Sequence, residues 1–98
     1  MEILVEMADL YHELRREIRN EPTLANWYEL GKARQMYLVY VEALNLVVYD
    51  GFEWDEAVEA SAAVAEVEPL SDGAPDWMAA RHRGEVAAIA EMRSGAHA

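Results

Sequence analysis

The sequence predicts an all-α fold, a small helical bundle of three to four helices around one long central helix. Three features predict it. Apolar residues recur at alternating spacings of three and four along most of the chain. The stretch from Pro22 to Asp50 carries no helix breaker except Gly31. Asn20, Pro22, Gly51 and the turn-rich run 69–75 divide the chain into four helical segments, and its 98 residues suffice for one domain with one core.

The first helix is expected over 2–19, where Leu4, Met7, Tyr11, Leu14 and Ile18 share one face. Its other face carries Glu6, Asp9, Glu13, Glu17, Arg15, Arg16 and Arg19, with Glu13 and Arg16 close enough in sequence to pair within a turn. The second, over 22–49, would run about 40 Å at the helical rise. Its stripe Trp27, Leu30, Arg34, Tyr37, Val41, Leu44 and Val48 lies beside a second stripe of Ala33, Met36, Tyr40, Ala43 and Val47, an apolar arc wider than a one-sided surface helix needs. Gly51 supplies the positive φ that ends it. A third helix is expected over 55–67, with acidic residues in its first turn and a small apolar face, Ala57, Ala60, Ser61, Val64 and Val67, that lets a neighbour approach closely. A fourth is expected over 76–93, after the 69–75 linker, with a frayed tail at 94–98.

Unequal helices leave apolar surface on the long one, and the expected cover is a second copy of the chain packed on the Trp27 to Val48 stripe, a homodimer. Arg34 is the one charge on that stripe. It needs a carboxylate partner if buried, or else lays its stem along the core with its head in water.

Composition removes several functions. The chain has no cysteine, which excludes disulfides, thiolate metal sites and thiol catalysis. A net charge of −11 disfavours direct binding of nucleic acid. The most apolar stretch, Met36–Tyr49, is interrupted by Glu42 and Asn45 and is too short to span a bilayer, and no basic then apolar leader opens the chain. A cytoplasmic location without membrane contact is expected. Asp9 with His12 and His82 with Glu85 have helical i, i+3 spacing, but neither is the Glu-x-x-His pair of di-metal bundles, so no metal or other cofactor is expected. No serine or threonine lies in a nucleophile elbow and no glycine-rich phosphate loop exists, so no catalytic residue is assigned.

The charge is concentrated. Glu53, Asp55, Glu56, Glu59, Glu66, Glu68 and Asp72 lie within 51–74, a stretch with no Lys or Arg. Such a segment is most often a solvated face that keeps a protein soluble. It also suits docking on a basic surface of another protein. The expectation is therefore a non-enzymatic interaction protein that binds a partner through these seven acidic residues. Its narrower alternative is an acidic inhibitor that imitates nucleic acid, and a small metal-binding helical enzyme is the third reading.

Overall fold

The computed structural model describes residues 2–94. Four helices appear, α1 Glu2–Asn20, α2 Leu24–Asp50, α3 Trp54–Val64 and α4 Asp76–Arg93. Among the described residues there is no strand, so the fold is the all-α bundle expected. The tail expected at 94–98 lies outside the described residues from position 95 onward.

Local chemistry sets most boundaries. The Thr23 side chain accepts the Asn26 N–H at 3.1 Å and caps α2, so the helix starts at Leu24 and Pro22 stays outside it. At its other end Gly51 takes φ 73°, and the Phe52 N–H returns to the Leu46 carbonyl at 3.2 Å. Helix α3 stops at Val64, three residues before the expected Val67. Nothing in 65–68 breaks a helix; a side chain from elsewhere ends it. The Arg93 guanidinium donates to the carbonyls of Ala62 and Ala65, each at 2.8 Å. It satisfies acceptors that further helical turns would have used, and places positive charge at the negative end of the helix dipole.

Helix α2 is the axis of the molecule and packs against each of the other three. The backbone of α1 lies close to that of α2 alone, whereas the backbone of α3 lies close to those of α2 and α4. The shape, 41 × 28 × 21 Å, is as long as α2 and about two helices thick. The main core joins Met7 of α1, Val39, Tyr40 and Ala43 of α2, Ala57, Val58 and Ala62 of α3 and Met92 of α4. Of the face expected on α3, Ala57 and Ser61 are buried and Ala60 is half-buried, but Val64 is 78% exposed and Val67 lies past the end of the helix, because the chain leaves the helix at Val64; the Trp54 ring stacks on Tyr40 at 5.8 Å.

The closest approach in the fold is between α2 and α4. A Cβ on Gly31 would collide with the Arg81 carbonyl oxygen, and one on Gly84 with the Tyr28 carbonyl oxygen while lying 2.8 Å from the Lys32 nitrogen. Each glycine therefore receives the other helix's backbone. Contacts advance together along the pair, Trp27 with Trp77, Gly31 with Arg81 and Arg34 with Glu85, so the two helices run parallel. Parallel neighbours require a return crossover, which α3 and residues 65–75 provide.

This packing covers part of the wide arc of α2 within the chain. Leu30 is buried, Trp27 meets Trp77 at 4.6 Å between ring centroids, and Tyr37, Val41 and Leu44 are half-buried. Of the apolar residues in the stripe expected to carry a dimer, Val48 alone is largely exposed.

Alanine favours a helix over glycine by about 1 kcal/mol, but at Gly31 and Gly84 the added methyl meets backbone that cannot rotate aside. Gly31→Ala and Gly84→Ala are each expected to lose about 1–3 kcal/mol in urea unfolding. Gly51→Ala, in open space, is expected to cost about 1–2 kcal/mol through its positive φ alone. A neutral or stabilising alanine at Gly31 or Gly84 would contradict the close crossing.

Candidate functional site

The parallel pairing of α2 and α4 builds a polar node. The Glu85 carboxylate is buried on α4, and its Oε1 lies 3.3 Å from Arg34 Nη1 on α2 and 3.8 Å from Arg81 Nε one turn back on α4. Arg34 thus has its carboxylate within the same chain, while half of its side chain reaches water. The Arg81 guanidinium also sits 5.6 Å over the Trp77 ring, and its Nε is buried without a hydrogen bond. Above this node residues 66–71 pass across α2 and α4 and enclose a cleft of about 440 Å³. Gln35 and Leu38 line it from α2, and Met78 and His82 from α4.

The seven acidic residues divide into three places. Glu53, Asp55, Glu56 and Glu59 occupy the start and first two turns of α3, Glu66 and Glu68 edge the cleft, and Asp72 lies in the turn closed by the Ala74 N–H on the Ser71 carbonyl at 3.2 Å. All seven are exposed. Among the described residues none has a cationic side chain within ion-pair distance, because the pairs that form are Lys32–Glu91, Arg34–Glu85 and Arg81–Glu85. Beside the α3 group the chain turns a corner that carries three apolar residues in water: Val48 is 62% exposed, Tyr49 80% and Phe52 38%.

The stretch His12, Arg15, Arg16 and Arg19 forms a second charged surface on α1, lining a shallow depression of about 310 Å³. The pairing expected between Glu13 and Arg16 is not made, and among the described residues none of the three arginines forms an ion pair. His12 stands there with arginines, whereas His82 stands with Glu85 in the cleft. Among the described residues no group of three or more His, Asp or Glu is placed to hold a metal ion. Among the described residues no helix is long and apolar enough to cross a membrane.

Two groups titrate away from their ordinary values. The hydrogen bond to Glu91, 2.7 Å away, holds the Lys32 ammonium above its usual 10.5 against the opposing effect of burial. Burial alone raises the Tyr40 phenol above 10.0.

Sequence reasoning missed Glu85 as a structural node and Arg93 as the group that ends α3. Both act across 28 or more residues of chain. The signal for the glycine crossing was present, because two isolated glycines inside helices carry a propensity cost that packing must offset.

Geometry thus defines an all-α bundle with one acidic and one basic exposed face. The chain matches no protein-family model, and comparison with curated proteins and with solved structures finds no relative.

Glu85→Ala deprives Arg34 of its hydrogen-bond acceptor and Arg81 of its counter-charge, and is expected to cost about 1.5–3 kcal/mol. Arg34→Leu should cost less, since Arg81 still faces the carboxylate. For Lys32 and Tyr40 the folded chain holds the proton more tightly than the unfolded one. Their contribution is constant below the ordinary values and is lost as pH rises through the raised ones, so urea midpoints should stay level to about pH 9 and fall above about pH 10.

Proposed function

We propose that the chain is a non-enzymatic interaction protein that docks on a basic surface of another protein through the acidic start of α3. The observation that carries this reading is the combination at the α2–α3 corner. Glu53, Asp55, Glu56 and Glu59 are exposed without local counter-charges, and Val48, Tyr49 and Phe52 stand in water beside them. Carboxylates alone would suit a solubilising face. Exposed aromatic residues next to them add what such a face lacks: apolar area for a partner to bury, of the residue types that anchor interfaces. The charges then supply steering and register, and the aromatics most of the affinity.

Burial of Leu30 and the pairing of Trp27 with Trp77 leave the α2 stripe less to offer a second copy than the corner offers a foreign partner. Imitation of nucleic acid is the special case in which the basic surface is a nucleic-acid channel.

The test is capture from the native host with the immobilised protein, followed by affinity measurement on the purified partner. Asp55→Asn/Glu56→Gln/Glu59→Gln and Tyr49→Ala should each weaken binding by about tenfold or more, about 1.4 kcal/mol, and only the first should abolish the salt dependence. A partner that binds both variants as well as the parent would overturn the reading. Displacement of the protein by duplex DNA or RNA would identify the partner's surface as a nucleic-acid channel.

A further inference from the structure

We infer that a second copy of this chain can occupy the acidic face, through the arginine face of α1. The inference rests on the acidic face being a docking surface, as proposed above, and names one partner for it.

Four observations carry it. The first is charge: Arg15, Arg16 and Arg19 are exposed and, among the described residues, unpaired, as are Asp55, Glu56 and Glu59. The second is register. Both triplets have the spacing i, i+1, i+4, so each spans about 6 Å of rise and about 100° of arc on its helix. Set side by side, the two helices present three cations and three anions at matching intervals.

The third is topology. Helices α1 and α3 both pack on α2, and among the described residues no ion pair joins them, so the pairing is not made within one chain. The fourth is the make-up of the basic side, since the depression on α1 is lined by His12 and the three arginines, with Arg15 held 5.7 Å over the Tyr11 ring. Arginine suits this role because its planar fork meets carboxylates in two-point contacts.

One copy offers its α1 face to the α3 face of the next, a heterologous contact that continues head to tail unless two copies meet reciprocally. Net charge opposes it. Two chains of −11 repel at long range, and that repulsion extends about 30 Å at 0.01 M salt but only about 10 Å at 0.1 M. The local contact operates inside that distance. It is therefore favoured at intermediate ionic strength and screened toward about 1 M, where the Debye length is about 3 Å.

Sedimentation velocity on the full chain tests this, with circular dichroism to show that each variant is folded. The parent should self-associate at about 0.1 M salt and dissociate toward about 1 M. Arg15→Glu/Arg16→Glu/Arg19→Glu and Asp55→Lys/Glu56→Lys/Glu59→Lys should each sediment as monomers alone and associate when mixed, because each then carries the face that the other has lost. A parent that stays monomeric at every salt concentration overturns the inference. So does association that ignores salt, persists in either variant alone, or is not restored by mixing. If the arginine variant still binds a foreign basic partner while the parent shows no self-association, this inference fails and the proposed function stands. If neutralising the acidic face affects neither kind of binding, both fail.

Discussion

The backbone contact at Gly31 and Gly84 sets the distance between α2 and α4, and other features depend on that distance. Two glycines in helix interiors together forgo about 2 kcal/mol of helix propensity. In return the helices approach until each carbonyl fills the space of the other's missing side chain. At that separation Trp27 reaches Trp77, Arg34 reaches Glu85 and Lys32 reaches Glu91. A larger residue at either position would move these partners apart together, since they lie on the same pair of rigid elements.

The parallel course of α4 has a second consequence. The chain must return between α2 and α4, and it does so with a short helix followed by an extended segment. Arg93, at the far end of α4, meets the carbonyls of Ala62 and Ala65 and divides helix from segment there. The acidic stretch is split at the same point, with four residues on or beside α3 and two beside the cleft. A run that is continuous in sequence thereby becomes separate surfaces, and the one on α3 has the exposed aromatic residues Tyr49 and Phe52 next to it.

Charge in this protein is sorted by face. Two ion pairs join α2 to α4 and a third lies within α4, whereas among the described residues the arginines of α1 and the carboxylates of α3 form no ion pair. An acidic chain needs no such separation to stay soluble, because interspersed charges do that as well. Two opposite faces held apart on a common axis are suited to contacts between molecules.

Periodicity and punctuation determined the four helices, because side-chain spacing and the φ of Gly51 act within a few residues. The small-residue face of α3 and the exposure of the seven acidic residues were equally legible, since they follow from side-chain size and charge. Tertiary structure alone decided how the arc of α2 is covered. Three helices of the same chain share it, a division that depends on crossing distance and on the direction of α4, neither of which is written in periodicity. It also decided the partner of Arg34, the end of α3 and the lack, among the described residues, of an ion-pair partner for the α1 arginines. Each of these is a relation between residues far apart in the chain, and folding brings such residues together or keeps them apart for reasons of packing that no local pattern contains.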